Sequence, residues 1–485
     1  MVFGQQIAKI QKSQKIPHHT ARKVLTILYF LATLLGLCVI CSVLLSLPFC
    51  QITRASILDI IFTSVSAVTL TGASTINIAD TWSVTGLTVI MITTQLAGIT
   101  YTILAAAVAV EIGMRMTHSS QSSNPLLNIN TNSKILHKDF FYYAKLVILF
   151  VFVIELVGAI AFYIYYAVIS PSTTAGNIFA SVFNSIIGFC NSGFSLYNSS
   201  GVSDIFGLSI PALKNNTTQM LIYAILSFIG GLGFIVLYDL ISFKHNRRLS
   251  LHTKLVLSTT FIILIIGTAT FYIFETSLMH MDSLFTSDKE NAFITSIYMP
   301  IIARGLGLTS IDLTLLSAPS FFFLAILMFI GDAPGSMASG IKITNVAIII
   351  LSILAMLRKK PDIEIFNRRI SDEAVRFALT MVMVSALFII FSVTLVTMAE
   401  GGSMTNTLNG ADIKSYSQII FLIISTFANV GLDPNILTTL TMASKIIIII
   451  VMFIGRISSV LFFYVFASST VKQLRRYPTE PVLQG

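Results

Sequence analysis

Charge is what this sequence has least of. Only 11% of its 485 residues are Asp, Glu, Lys or Arg, where a soluble globular domain carries about 25%. With 55% hydrophobic residues and a mean hydropathy of +0.86, that shortage excludes a soluble protein. It also leaves no stretch large enough for a catalytic or nucleotide-binding domain. Cysteine is scarce too. Cys38, Cys41, Cys50 and Cys190 lie in or beside apolar runs, and the CxxC spacing of the first two, without companion ligands, reads as small apolar residues in a lipid-type helix. The seven histidines fall in loops or at the edges of apolar runs and show no catalytic cluster. "GGLGF" at 230–234 lacks the preceding strand, third glycine and acidic partner of a dinucleotide loop, and no phosphate-binding loop pattern occurs. Neither an enzyme nor a bound cofactor is expected.

What the sequence does have is long apolar runs, at 24–50, 146–170, 255–274, 378–397 and 445–468 among others. Runs of 18 or more such residues read as membrane-spanning helices, so the bilayer is the first partner. The 30 Lys and Arg are placed unevenly. One alternating set of loops, including both termini, holds 22 and the other set holds five; three more, Arg304, Lys342 and Arg456, sit in apolar surroundings. The basic set faces the cytoplasm by the positive-inside rule, which predicts an even number of crossings and both termini cytoplasmic. The charges alternate with spans rather than forming one patch, so nucleic acid is not an expected partner. The basic, polar start followed by an overlong apolar run does not read as a cleavable signal.

Four short stretches repeat: "SAVTLTGAS", "GFCNSGFSL", "ARGLGLTSI" and "FANVGLDPN". Their key glycines, Gly72, Gly193, Gly307 and Gly431, are 121, 114 and 124 residues apart. A second mark keeps the same phase: "TQLAGIT", "SFIGGLG", "MFIGDAP" and "MFIGRIS" place Ala97, Gly230, Gly331 and Gly455 at 25, 37, 24 and 24 residues after those glycines. The long interval carries the polar insert "SSGVSDIFG" and "KNNTT". Each unit reads as a long span, a shorter segment ending at the glycine, and a second span. The shorter segments, 56–69, 175–189, 289–303 and 414–427, hold about 14 residues each, roughly 21 Å of helix against an apolar core about 30 Å thick. They should therefore dip in and return, which is tolerated only where the return is buried in protein or lines a wet cavity. Ser56 with Asp59, and Ser287-Asp288 with Glu290, supply helix starts.

The fold expected is an all-α integral membrane protein. Four direct span–pore-helix–span repeats, eight transmembrane helices and four re-entrant pore helices, surround a pseudo-fourfold pore. The divisions are a cytoplasmic tail at 1–23, repeat 1 at 24–116, a cytoplasmic loop at 117–137, repeat 2 at 138–248, repeat 3 at 249–360 with an intramembrane loop at 331–340, repeat 4 at 361–470, and a cytoplasmic tail at 471–485.

Each dipping helix points its partially negative C-terminal end inward, and a glycine lets the returning backbone approach closely. Four such segments make rings of carbonyl oxygens, the form of a cation selectivity filter. The candidate filter residues are Thr71, Gly72, Ser192, Gly193, Leu306, Gly307, Val430 and Gly431. None of these eight residues carries a carboxylate, as a calcium or magnesium site would require. Uncharged rings suit a weakly hydrated monovalent ion, potassium before sodium. An ion-coupled secondary transporter for a small solute is the alternative; such proteins are commonly built on inverted repeats, whereas these run in one direction.

"AVTLTGAS", "FNSIIGFCNSGFSL", "FIGGLGFIVL", "GDAPGSMASGIK" and "MFIGRI" resemble, in order and over nearly the whole chain, the signature segments of the Trk/Ktr/HKT potassium-transport superfamily. Eight spans without an added N-terminal pair are most similar to the Ktr-type bacterial membrane subunit. The resemblance implies the potassium-translocating subunit of an uptake system in a bacterial cell membrane, potassium being the transported ion. It implies a homodimer with one pore per protomer, and a cytosolic nucleotide-binding ring of the RCK type as regulatory partner. Sodium dependence and the nucleotide sensed stay open. It also implies that the loop in the third repeat gates the pore. A glycine in the first filter, where some sodium-carrying relatives have serine, favours potassium. Two positions depart from the family pattern: the third filter reads Gly305-Leu306-Gly307-Leu308 in place of Thr-Ala-Gly-Phe, and Asp332 replaces a glycine in the loop.

The candidate gate comprises Gly331, Asp332, Pro334, Gly335, Ser336, Ser339, Gly340, Lys342 and Arg456. Glycines and proline prevent a continuous helix, and only the third repeat is expected to break at this depth. Arg456 occupies in repeat 4 the place of Asp332 in repeat 3. A charge inside a membrane protein is a functional candidate by default, so Arg456 is expected just below the filter, in contact with the loop, with Asp332 a candidate partner. Lys342 and Arg456 could instead neutralise a carbonyl cluster. Arg304 has Asp59, Asp312 and Asp433 as candidate partners, and Asp433-Pro434 at the outer mouth reads either as an ordinary turn or as a group that concentrates cations.

Overall fold

A long helix, a short helix and a second long helix follow one another four times in the computed structural model of the chain. It describes residues 18–117, 133–169, 174–197, 213, 216–247, 249–277, 289–401 and 416–466. Residues 1–17 of the expected first tail, 118–132 of the expected cytoplasmic loop, the tail at 471–485, the Ser287-Asp288 helix start and the "SSGVSDIFG" insert lie outside the described residues. Repeat 1 consists of α1 (His18–Leu45), α2 (Ile57–Thr69) and α3 (Val84–Thr117). Repeat 2 has α4 (Ser133–Ile169), α5 (Thr174–Cys190) and a second span in two pieces, α6 (Thr217–Leu232) and α7 (Phe234–Asn246). Repeat 3 has α8 (Leu251–Ser277), α9 (Lys289–Ile302), α10 (Ala318–Phe329) and α11 (Ile343–Leu357). Repeat 4 has α12 (Asp372–Glu400), α13 (Tyr416–Phe427) and α14 (Met442–Phe466).

The short helices start where local chemistry starts them. Ser56 accepts the Asp59 N–H and donates its hydroxyl to the Asp59 carboxylate at 2.7 Å, a reciprocal cap on α2. They are short because an extended return follows. They are also buried and polar: Thr63, Ser64, Ser66 and Thr69 of α2 are all inaccessible. The long helices are inside out by comparison. Val153, Leu156, Val157 and Ile160 of α4, like Ile262, Ile265 and Ile266 of α8, stand exposed, an apolar belt suited to lipid.

Among the described residues five helices are long and apolar enough to cross a bilayer, or six with α6–α7 counted as one span. Taking α10–α11 as one interrupted span and α14 as the last gives the eight predicted crossings. The repeats close into a ring. Each short helix packs on the second span of the preceding repeat: α5 on α3, α9 on α6, α13 on α10, and α2 on α14. That last contact joins the end of the chain to its beginning.

One expectation needs correction: the third repeat is not alone in breaking. α6 and α7 are bent by 93° at Gly233, whose φ of +77° a residue with a Cβ adopts only at a cost. The all-α fold carries one small addition. After α11, β1 (Ile363–Ile365) and β2 (Arg368–Ile370) form an antiparallel hairpin with Ile363 opposite Ile370. Phe366 and Asn367 at its turn both have positive φ, which suits the twist of a two-residue hairpin.

Candidate functional site

The four key glycines meet. A Cβ on Gly72 would run into the backbone of Gly193; one on Gly193 would lie 2.6 Å from the Leu306 carbonyl oxygen; one on Gly307 would run into the Val430 carbonyl, and one on Gly431 into the Thr71 carbonyl. Each repeat's returning segment therefore lies against the next, and the circuit returns to repeat 1. Gly72, Gly307 and Gly431 have φ of +72°, +67° and +90°. Thr71, Gly72, Gly193, Leu306, Gly307, Val430 and Gly431 take part in these contacts, and Ser192 immediately precedes Gly193.

The approach to the ring is set by how each short helix ends. Leu70, Asn191 and Asn429 take left-handed backbone (φ 61°, 53° and 52°). The N–H of Thr71, Ser192 and Val430 then reaches back five residues, to Ser66, Ile187 and Ser425, at 2.9, 3.1 and 2.9 Å. In repeat 3 the same bond is made one residue later, by Gly307 to Ile302 at 3.0 Å, because α9 ends five residues before its glycine. Among the described residues no backbone N–H bonds the carbonyls of the four glycines, which leaves these oxygens available as acceptors. Side chains brace the ring. Asn429 donates to the Thr71 hydroxyl at 2.7 Å and to the Met452 carbonyl at 3.0 Å; the Asn191 amide bonds Ser227; the Tyr298 hydroxyl donates to the Leu308 carbonyl at 2.6 Å.

Toward the basic loops, here called below, the candidate gate residues of 331–340 lie against the broken span of repeat 2. Ala333 and Met337 donate their N–H groups to the Gly231 and Gly230 carbonyls at 3.1 and 3.3 Å, and Phe234 donates to Gly335 at 3.3 Å. Gly331, Asp332, Ser336, Ser339 and Gly340 are buried, while Pro334 and Gly335 are partly exposed. Gly335 and Gly340 have positive φ. Gly230 and Gly455, two of the second marks, allow their spans to touch the ends of α5 and α13, since a Cβ there would run into the Phe189 and Phe427 carbonyls.

The buried charges pair differently from expectation. Arg456 is 2% exposed and does hold the loop, donating to the Met337 carbonyl at 2.6 Å and the Ser339 hydroxyl at 3.0 Å. Its guanidinium lies over the Tyr101 ring, 3.9 Å from the centroid. Asp332 is not its partner. Arg304 binds Asp332 at 2.7 Å, and none of Asp59, Asp312 or Asp433 pairs with Arg304. Those three serve the other face: Asp59 accepts from Thr75 and lies 4.0 Å from Lys445, Asp312 caps Thr314, and Asp433 accepts the N–H groups of Ile436 and Leu437. Burial pushes the Asp433 carboxyl up to about 6 against the lowering effect of those two bonds. Lys342 donates to the Ala338 carbonyl at 2.6 Å. Among the described residues, Arg304, Lys342 and Arg456 lie around the loop with the Asp332 carboxylate; Lys342 and Arg456 also meet carbonyls, a hydroxyl and an aromatic face.

Some residues escaped sequence reasoning. Tyr101 carried no motif. Glu275 accepts the backbone N–H and hydroxyl of Ser317 at 3.2 and 2.8 Å, and Glu400 those of Thr441 at 2.7 and 2.8 Å. Both glutamates are fully buried and tie the end of the first span to the start of the second in repeats 3 and 4. Their matching phase, 42 and 41 residues before the capping residue, was the available signal.

The sequence profile of TrkH, described as a cation transport protein, matches residues 5–472. The chain is 32% identical over 471 residues to Ktr system potassium uptake protein B of Bacillus subtilis, covering 96% of this chain and 97% of that one. It is 31% identical to the potassium/sodium uptake protein NtpJ of Enterococcus hirae, covering 91% and 93%. The crystal structure of the potassium transporter TrkH from Vibrio parahaemolyticus superposes with a TM-score of 0.62 at 16% identity, over 91% of this chain and 84% of that one.

Proposed function

The chain belongs to the TrkH family of cation transport proteins, and on that premise we propose that it is the potassium-translocating subunit of a bacterial membrane uptake system. The observation that carries this reading is the closed ring of four glycines, each against the backbone of the next. Four short helices end three to five residues before it, directing their partial negative charge toward a cation at the centre. The glycine carbonyls would replace the hydration shell of the ion. Thr71, Gly72, Ser192, Gly193, Leu306, Gly307, Val430 and Gly431 form this filter.

The loop at 331–340, with Lys342 and Arg456, is the gate. It is irregular backbone at membrane depth, buried in protein as such segments must be, and it carries net positive charge on the path a cation would take. The protein assembles as a dimer and answers to a cytosolic nucleotide-binding subunit, with both termini cytoplasmic. The regulatory partner is supported by the relative named as a protein of the Ktr system, and the cytoplasmic termini by the concentration of Lys and Arg on one side.

Growth of a potassium-uptake-deficient bacterial strain at low potassium tests the reading. Expression of the chain should restore growth, further so with a cytosolic regulatory subunit co-expressed. Failure to rescue or to carry rubidium when purified into liposomes would sink it.

A further inference from the structure

Arg304 and Asp332 belong to two different parts of the pore. Arg304 stands three residues before Gly307, its backbone N–H bonded to the last turn of α9 through Ile301. Asp332 is the second residue of the intramembrane loop, and its carbonyl accepts the Ile343 N–H at 3.2 Å. Their side chains meet at 2.7 Å, and both residues are buried, 3% and 6% exposed. The space for this pair comes from Gly231, where a Cβ would run into the Asp332 carboxylate. The loop touches the third filter segment a second time, since a Cβ on Gly305 would lie 3.0 Å from the Ala338 Cβ. Ile330 bridges Ile341 at the base of the loop, and a Cβ on Gly331 would run into the Ser339 carbonyl. The two ends of the loop are therefore held together.

We propose that the Arg304–Asp332 pair is a strut joining the loop to the third filter segment, so that displacing the loop alters ion discrimination as well as flux. This rests on reading 331–340 as the gate. Arg304 and Asp332 are positioning residues in this proposal, acting through the backbone that each one holds. A loop leaving its place must either draw Arg304 with it, disturbing the segment that ends in Gly307, or separate two buried charges. Separation parts two buried charges in a low-dielectric interior, the costlier course. Arg456 is bonded to the Met337 carbonyl and Lys342 to that of Ala338; Lys342 also lies within electrostatic reach of Asp332, but only Arg304 makes direct contact with it.

The test is rubidium and sodium flux through purified protein in liposomes, without any cytosolic subunit. Asp332→Asn should raise rubidium flux and lower the rubidium-to-sodium ratio, each by roughly fivefold or more, the lower end of a typical coupling between sites. Arg304→Lys, which keeps the charge, should retain most of the ratio. Gly231→Ala pushes on the Asp332 carboxylate without changing any charge and should act in the same direction as Asp332→Asn. If Asp332→Asn fails to fold with Arg304 unpaired, the neutral double variant Arg304→Gln with Asp332→Asn decides the matter, and it should show both changes. Flux that rises with an unaltered ratio would overturn the strut. So would a double variant indistinguishable from the parent. Arg456→Ala separates the two readings: increased flux there with no effect at Asp332 leaves the gate standing and removes the strut, whereas no effect at either position removes both.

Discussion

Gly72 shows how much one missing methyl group carries. Its φ of +72° costs a residue with a Cβ about 1–2 kcal/mol, and the Cβ would also strike the Gly193 backbone. Gly72→Ser should therefore open the ring and lower the potassium-to-sodium preference by roughly tenfold, as a shift of about 1.4 kcal/mol would. Competition of sodium with rubidium uptake measures this, and unchanged competition would argue against a carbonyl filter. The four glycines were legible in the sequence because nothing else suits such an approach, and their spacing repeats. The charged residues were less legible. Sequence places Arg456 and Asp332 in equivalent positions, but their side chains turn toward different neighbours, and which partner a buried cation finds is settled by packing. Asp433 carries a prediction of its own. Its carboxyl titrates at about 6, above the ordinary aspartate value of about 3.9, so it is charged at pH 7 and takes up a proton as the outer solution is acidified through 6. Uptake from low potassium should fall, about twofold for a single charge near the mouth, and Asp433→Asn should be low and flat across the same range.

At the level of elements, the two broken spans act as one device. The loop between α10 and α11 bonds to Gly230, Gly231 and Phe234 at the bend between α6 and α7. Gly233 is central to that bend: it has positive φ, and a Cβ there would lie 2.7 Å from the Pro334 carbonyl oxygen. Gly233→Ala should displace the loop as well as strain the bend, the backbone penalty alone being about 1–2 kcal/mol. The expected outcome is a protein less stable to heat in detergent with altered basal rubidium flux; a variant unchanged in both would show that the bend does not support the loop. The break in repeat 3 could be read from "GDAPGSMASG" because ten residues without helix-forming character announce it. The break in repeat 2 rests on one glycine followed immediately by Phe-Ile-Val-Leu. A run so apolar reads as an uninterrupted span, and isolated glycines are common in membrane helices.

For the whole molecule, ring closure explains why short, polar helices can persist at membrane depth. Each is walled by the span of the preceding repeat, so its Ser and Thr side chains face protein while the exposed apolar faces of α4, α8 and α12 meet lipid. The order of elements could be read from the sequence because hydropathy and spacing are local properties; closure of repeat 4 on repeat 1 is not local, and it is seen in the packing of α14 on α2 and of Gly431 on Thr71. The orientation of the ring follows from charge. Arg358, Lys359, Lys360, Arg368 and Arg369 surround the β1–β2 hairpin, whose side chains are largely exposed; Asp312 and Asn435 are hydrogen-bonded to each other at 3.4 Å on the opposite face of the filter. By the positive-inside rule the hairpin is expected in the cytoplasm and Asn435 outside. In a background with Cys38, Cys41, Cys50 and Cys190 replaced by serine, a cysteine at Asn435 should react with a membrane-impermeant maleimide on intact cells. One at Phe366 should react only after the cells are opened. The reverse pattern would invert the molecule, place Arg456 and the loop on the outer side of the filter, and remove the basis for a gate that a cytosolic subunit could reach.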